Sequence, residues 1–326
     1  METDQQLLET FERYLAQTRF PDEPELLYAP IRYSLSGGGK RLRPMLLLLS
    51  FRLFQRDGRC DFQRAMPAAA AVEVFHNFTL LHDDIMDNSL LRRGKPSVFA
   101  KWGQNAAILS GDAMMISAYK LLEDIPAEYL PRILKIFNQM ALEVCEGQQY
   151  DMDFEQKQKV SVVEYMHMIE QKTSVLLAGA AMIGATLGDA SEEDVRQLRR
   201  FAVELGLAFQ LQDDLLDSYG SDQWTKPIGG DILEHKMTYL MISAMSHSSE
   251  EEREVLRTTH LREDLTDEAK IRTVLDIYNR HDVQHLTEQQ ISLRFDRALS
   301  ILDDLGTAEA TEPLRRFARG LMGRKK

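Results

Sequence analysis

Twice in this chain the run Asp-Asp-x-x-Asp interrupts helical, largely apolar sequence: Leu81-His82-Asp83-Asp84-Ile85-Met86-Asp87, and Leu211-Gln212-Asp213-Asp214-Leu215-Leu216-Asp217. In an α-helix, residues i, i+1 and i+4 lie on one side, so each run gathers three carboxylates into one small volume. A solvated surface face is the usual reading of an acidic run. Here Leu80, Leu81, Ile85 and Met86 surround the first trio, and Leu211, Leu215 and Leu216 the second. Both helices therefore need burial around much of their circumference, and carboxylates in that setting must be paired or metal-bound because a buried lone charge is costly.

The rest of the chain has the same helical period. Leu7, Leu8, Phe11 and Leu15 recur at three to four residues, as do Val203, Leu207, Leu211 and Leu215, while strand signals are almost absent. Turn chemistry falls at Arg56-Asp57-Gly58, Gly94-Lys95-Pro96, Gly188-Asp189-Ala190 and from Tyr219 to Gly230. No Ser/Gly linker or low-complexity break appears, and 44% apolar content can bury a substantial core. The expectation is one all-α domain over residues 1–326, a bundle of about ten or more helices. The most apolar long segment, Ser174 to Gly188, is too short to span a membrane. The acidic, amphipathic start METDQQLLETFERYL lacks the features of a signal peptide. Cys60 and Cys145 are too few for a disulfide framework or a structural zinc site, which points to a cytoplasmic setting. With 39 Lys and Arg against 51 Asp and Glu, the net charge of −12 disfavours nucleic acid as a partner.

Hard oxygen ligands without a His or Cys cluster favour magnesium over zinc, and magnesium commonly binds through a few carboxylates plus substrate phosphate and water. If the two acidic helices face each other, their six carboxylates can hold several divalent ions around a polyphosphate. Arg92, Arg93, Lys172, Lys226 and Lys236 are placed to reach the phosphate oxygens that such ions leave uncovered. The stretch SGGGKRLRPM, residues 36–45, has the look of a phosphate loop. It fails as a nucleotide-binding Walker loop, which needs Gly-x-x-x-x-Gly-Lys-[Ser/Thr], because Ser34 replaces the leading glycine and Arg41 the metal-binding hydroxyl. Backbone amides beside Lys40, Arg41 and Arg43 would still make a cationic concavity suited to an anion.

LLHDDIMDNSLLRRGKPS, GQQYD at 147–151, KTS at 172–174, FQLQDDLLD at 209–217, KPIGGDI at 226–232 and HKMT at 235–238 together resemble the trans-prenyltransferases, the isoprenyl diphosphate synthases. The match runs in order from Gly38 to about Thr238. The resemblance implies the isoprenoid synthase fold, with helices around a deep central cavity, and about three magnesium ions held by Asp83, Asp84, Asp87, Asp213 and Asp217, with Asp214 the less certain ligand. It assigns Arg92, Lys172, Thr173, Gln210, Lys226 and Lys236 to an allylic diphosphate, with Asp231 nearby, and Gly39, Lys40, Arg43, His76 and Arg93 to isopentenyl diphosphate. Asp83, Asp84, Asp87, Lys172, Asp213 and Lys226 become the catalytic set, and a homodimer is implied. Gln148 and Asp151 fit the pattern at the cavity wall. Thr225, where glycine is common, and Met237, where a second lysine is common, depart from it without removing a principal ligand. His82 is expected to pack rather than ligate.

Such an enzyme would ionise an allylic diphosphate, add isopentenyl diphosphate to the resulting cation and lengthen the product by one five-carbon unit. Phe75, Phe78, Met114 and Phe209 could supply apolar walls. Phe78, with Thr79 beside it, is the expected limit on chain length. It precedes Asp83 by five residues, about 7.5 Å along a helix, and a bulky side chain there goes with short products in the family. The expected product is about C20, geranylgeranyl diphosphate, with C15 present. A longer-chain synthase and a terpene cyclase are the alternatives. The second Asp-Asp-x-x-Asp and the loop for a second diphosphate count against a cyclase, and six intact acids count against a noncatalytic partner.

Overall fold

The structure is a computed structural model that describes residues 3–55, 61–157, 159–220 and 228–323. Its contacts gather into two compact units, Met1–Asn138 with Gly179–Leu198, and Gln139–Ala178 with Arg199–Lys326. All three crossings between the units fall inside helices, as a chain without linker-like stretches requires.

The first unit contains α1 (Asp4–Gln17), α2 (Glu25–Ser36), α3 (Leu42–Leu53), α4 (Met66–Met86), α5 (Val98–Trp102), α6 (Gln104–Leu122) and the start of α7 (Leu130–Gln156). The second contains the rest of α7, α8 (Val162–Ile169), a π-helical turn (Glu170–Ser174), the start of α9 (Val175–Leu187) and most of α10 (Glu192–Tyr219). It continues through α11 (Gly230–Leu233), α12 (Tyr239–His247), α13 (Glu250–Thr258), α14 (Asp267–Arg280), α15 (Val283–Leu305) and α16 (Ala308–Met322). The all-α expectation holds. Among the described residues the one departure is a short antiparallel hairpin, β1 (Leu91–Arg92) with β2 (Lys95–Pro96). No helix among the described residues is long and apolar enough to cross a membrane.

Local chemistry explains the helices that matter for the site. In α1, Thr3 and Gln6 close a reciprocal capping box, and Leu7, Phe11 and Leu15 form a buried stripe. Each of those side chains stabilises the fold by roughly 1.5–3 kcal/mol. α4 begins with proline in its first turn and is buried nearly all round from Met66 to Phe75. A helix apolar on every side belongs in the interior, and α4 carries the first acidic run outward from there. α3 has Leu46 to Leu49 fully or almost fully buried, and Gly184 of α9 leaves room for the Leu47 carbonyl, which any larger residue would displace. In the second unit, Ile232, Leu240, Met241, Leu256, Val274, Ile277 and Tyr278 form a buried cluster, with Leu215 and Tyr219 of α10 packed against it.

Candidate active site

The first acidic run occupies the C-terminal end of α4. Asp83 and Asp84 lie in the last turn, and Asp87 is the C-cap, its N–H donating to the Asp83 carbonyl at 2.9 Å. A helix C-terminus carries partial negative charge, so carboxylates there require cations. Arg92 supplies one: its Nε donates to Asp84 Oδ1 at 2.8 Å, its Nη2 donates to the same oxygen, and Asp83 Oδ2 lies 3.7 Å away. Asp84 is 3% exposed. Burial pushes its pKa up and the Arg92 hydrogen bond and charge pull it back, leaving it raised. Burial alone would lower the Arg92 pKa, but Asp84 outweighs it and the guanidinium is held more firmly charged.

The hairpin delivers Arg92. Arg93 and Gly94 both have positive φ, +54° and +73°, the signature of a type I′ turn, and β1 pairs Arg92 with Lys95. Sequence reading marks Gly94-Lys95-Pro96 as a turn but misses the strands, because two-residue strands carry no alternating pattern. Arg93, the next residue, donates from Nη1 to the Gly38 carbonyl, and a Cβ on Gly39 would come within 2.9 Å of that nitrogen. The glycine is needed for this close approach, and its φ of +138° adds a second reason.

Of the loop cations, Lys40 is exposed, whereas Arg43 is half-buried and its Nη1 lies 3.0 Å from His76 Nε2. An arginine can only donate, so His76 accepts at Nε2 and its proton sits on Nδ1. Burial, then Arg43, Arg93, Arg92 and Arg41, hold the His76 pKa well below its ordinary value, so the ring is neutral. Arg41 differs from its neighbours: it is 4% exposed and paired with Glu12 and Glu73. Beside these groups a cleft of about 460 Å³, counted with its open mouth, is lined by Tyr33, Asn77, Asp84, Arg92, Arg93 and Lys95 among others. Lys95 is a cation of this wall that the sequence reading passes over.

Behind the acids on α4, Phe78 is buried with its ring 5.4 Å from Phe75 and 4.7 Å from His82, and Phe75 meets Phe137 at 5.3 Å. Thr79 Oγ donates to the His76 carbonyl at 2.8 Å. His82 Nε2 lies 3.2 Å from the Ile108 carbonyl, and only glycine at 111 leaves space for the ring. His82 thus packs against α6.

The second acidic run lies near the C-terminal end of α10. Asp214 is 5% exposed; Tyr165 O–H donates to its Oδ2 and Gln210 Nε2 donates to its Oδ1 at 3.0 Å. Burial dominates these bonds and pushes the Asp214 pKa up to about 6. Gln210 Oε1 in turn accepts from Thr173 Oγ1 at 2.9 Å, which ties the π-helical turn to α10. Lys172 in that turn donates to Asp151 Oδ2 at 2.6 Å. Two glycines admit the turn: a Cβ on Gly147 would meet the Gln171 carbonyl carbon at 2.6 Å, and one on Gly206 the Ser174 hydroxyl at 2.6 Å. π-helical turns recur at functional positions. Tyr165 has no signal in sequence, because its partner lies 49 residues away.

Asp217 closes the run by organising the segment after residue 227. Its carbonyl accepts from Gly229 N–H at 2.7 Å and its Oδ2 from Asp231 N–H at 3.0 Å. Asp231 is pushed up to about 8, by burial first and then by Asp217 and Asp214, against the opposing pull of Lys236. Lys236 Nζ sits 3.9 Å from Asp231 Oδ1 and 2.8 Å from Glu234 Oε2. Lys226 and Thr225 lie outside the described residues.

No group of three or more His, Cys, Asp or Glu side chains among the described residues forms a ready-made metal cage. In each run the middle acid is buried and engaged, and the outer acids are the more accessible ones.

The model of the family described as polyprenyl synthetase matches residues 24–278. A geranylgeranyl diphosphate synthase of Methanosarcina mazei is 44% identical over 225 residues, 68% of this chain and 68% of that protein. A short chain isoprenyl diphosphate synthase of Methanocaldococcus jannaschii is 41% identical over 239 residues, 73% of this chain and 72% of that protein. A crystal structure of a geranylgeranyl pyrophosphate synthase superposes with a TM-score of 0.92 at 42% identity, covering all of both chains.

Proposed function

Because the chain belongs to the polyprenyl synthetase family, we propose that it joins isopentenyl diphosphate head-to-tail to an allylic prenyl diphosphate and yields mainly geranylgeranyl diphosphate, about C20. It is a trans-prenyltransferase. The observation that carries the reading is the twice-repeated acidic helix end, each with a buried, engaged middle acid and a lysine or arginine within hydrogen-bonding range of an acid of its own unit. A protein that only bound a prenyl chain would have no need of acids at these positions.

Magnesium dependence is general to the family, and we assign Asp83 and Asp87 in the first unit and Asp213 and Asp217 in the second as its ligands. Bound there, magnesium would neutralise charge on a leaving diphosphate. Asp84 and Asp214 instead hold Arg92 and the Thr173–Gln210 chain in place. The resemblance supports Lys172, Thr173, Gln210 and Lys236 as contacts of the allylic diphosphate, with Arg92 in the same role. It supports Gly39, Lys40, Arg43, His76 and Arg93 as contacts of isopentenyl diphosphate. Cations fixed by carboxylates are preorganised to stabilise charge as the C–O bond breaks and both electrons leave with the diphosphate. The double bond of isopentenyl diphosphate then attacks the allylic cation, a C–C bond forms, and a proton leaves to the released diphosphate. Neutral His76 cannot protonate an intermediate, and the rings of Phe75 and Phe78 offer a cation no nucleophile.

We place the enzyme in the cytoplasm as a homodimer. Ile108, Leu109 and Ile116 stay exposed on α6 in the isolated chain, an apolar face suited to a second copy. Light scattering that returned the 37.4 kDa monomer alone would remove the dimer. The reaction is tested by incubating the protein with magnesium, isopentenyl diphosphate and C5, C10 or C15 allylic diphosphates, then sizing the products. Consumption of isopentenyl diphosphate with growth toward C20 is expected. Hydrocarbon release from a single prenyl diphosphate would mark a cyclase, and products of C30 or longer a long-chain synthase.

A further inference from the structure

Arg41 lies between Lys40 and Arg43, the two loop cations assigned to isopentenyl diphosphate, yet only 3% of its own side chain is exposed. It is the N-cap of α3 and has a φ of +46°, a conformation that residues other than glycine adopt at a cost. Its donors reach three different helices. Nε donates to Glu12 Oε1 of α1 at 2.9 Å, Nη1 to Glu73 Oε1 of α4 at 2.7 Å, and Nη2 to the Leu35 carbonyl of α2 at 3.1 Å. Glu73 is 2% exposed and also accepts from Asn77 Nδ2 at 3.2 Å.

The register on α4 gives the arrangement its meaning. Glu73 and His76 are three residues apart and share a side of the helix; Arg41 takes the first and Arg43 the second. One helix face therefore fixes the loop at two points, two residues apart. An apolar pair of similar volume would stabilise the fold about as well as a buried ion pair does. What the guanidinium adds is direction, since its planar fork sets three partners at fixed angles.

We propose that Arg41 is a positioning residue for isopentenyl diphosphate: its buried clamp on Glu12, Glu73 and Leu35 holds the glycine loop so that the neighbouring cations meet the diphosphate. This rests on the reading that Lys40 and Arg43 grip that substrate.

Steady-state kinetics of the full-length, magnesium-saturated enzyme test it, with each substrate varied at saturation of the other. Arg41→Met combined with Glu73→Met removes both buried charges together, so neither is left buried without the other, although the Leu35 carbonyl loses a donor. The combined variant should raise the KM for isopentenyl diphosphate about tenfold, with the allylic KM and kcat within about threefold. Arg41→Lys keeps the charge without the fork, and should recover little of the loss. Glu12→Gln removes the half-exposed partner and keeps the test alive if the double variant does not fold; it should raise the same KM about threefold. Arg43→Ala separates the two layers of the argument. If it raises the KM for isopentenyl diphosphate while the folded double variant, or Glu12→Gln in its place, does not, Arg41 is packing and the proposal is overturned. An equal rise for both substrates in the Arg41 variants overturns it too, and so does full recovery by Arg41→Lys. If Arg43→Ala itself leaves that KM unchanged, the assignment of the loop fails first.

Discussion

The ends of α4 and α10 carry the same three acids at the same spacing, and they stabilise the buried one differently. Asp84 faces a guanidinium: Arg92 spends two donors on one of its oxygens. Asp214 faces neutral donors, the Tyr165 hydroxyl and the Gln210 amide. Neutral donors do not outweigh burial, and the Asp214 pKa climbs to about 6 while Asp231 beside it climbs to about 8. The first end therefore holds its buried acid with a charged partner. The second holds its buried acid with neutral hydrogen-bond donors. A motif repeated in sequence thus sets three acids at the same spacing in each helix, while the tertiary partners decide how each buried acid is held.

The largest expected effect breaks the two ends alike. Asp83→Ala and Asp213→Ala should each lower kcat by about 10³-fold or more, since each removes an outer acid that we assign to the metal clamp on the leaving group. Circular dichroism should stay helical, because removing one acid from a cluster relieves repulsion. Condensation within tenfold of the parent in either variant would remove that acid from the metal site.

The outer acids were legible in sequence because a helix converts spacing into direction, and the spacing survives folding. Phe78 was legible for the same reason. What escaped depends on partners far along the chain. Arg41 reads as one more loop cation until Glu12 and Glu73, 29 and 32 residues away, turn it inward. The hairpin escaped because Arg93 in a left-handed conformation is not a turn signal, although Gly94 beside it is. Gly147 and Gly206 look like helix weaknesses in sequence, and only the π-helical turn packed against them explains why a side chain would not fit.

A smaller effect should separate the two ends by stability. Arg92→Met leaves Asp84 buried with its charge unpaired and should cost about 3 kcal/mol, the lower end for breaking a buried pair, because Arg92 is a third exposed. Tyr165→Phe removes one hydrogen bond to Asp214 and keeps the ring, so about 1–2 kcal/mol is expected. Denaturant unfolding of the two variants side by side ranks them. Equal losses would mean that the guanidinium and the hydroxyl do the same job.

A third comparison uses the aromatic residues before each acidic run, Phe78 five residues before Asp83 on α4 and Phe209 four residues before Asp213 on α10. Phe78 packs into a line of rings with Phe75 and Phe137, and truncating it leaves a void that an apolar chain can enter. Phe78→Ala should lengthen the main product by at least one five-carbon unit, whereas Phe209→Ala should change turnover without changing product length. Identical product profiles from the parent and Phe78→Ala would place the limit on chain length elsewhere.

The smallest effect concerns pH and is read at His235 in the second unit. His235 stacks on His260 with ring centres 4.1 Å apart and planes 13° from parallel, one residue before Lys236. Burial, and then His260, lower its pKa from 6.5 to about 4; His260 is itself lowered by burial and by Lys270, whose Nζ donates to its carbonyl at 3.1 Å. Between pH 4 and 6.5 the folded state then holds fewer protons at His235 than the unfolded state does. The contribution of His235 to stability therefore rises with pH across that window, is fully present above about 6.5, and is lost as the pH falls toward 4, opposed in sign by the raised acids Asp214 and Asp231. The stack is partly open to solvent, so only part of the shift is realised, on the order of 1–2 kcal/mol. His235→Asn tests this cleanly, because φ is +54° at this position and asparagine tolerates the left-handed conformation better than other residues with side chains. The variant should flatten the change in unfolding midpoint between pH 7 and pH 5. If the acid-side slope is unchanged in His235→Asn, the stacked pair does not carry it.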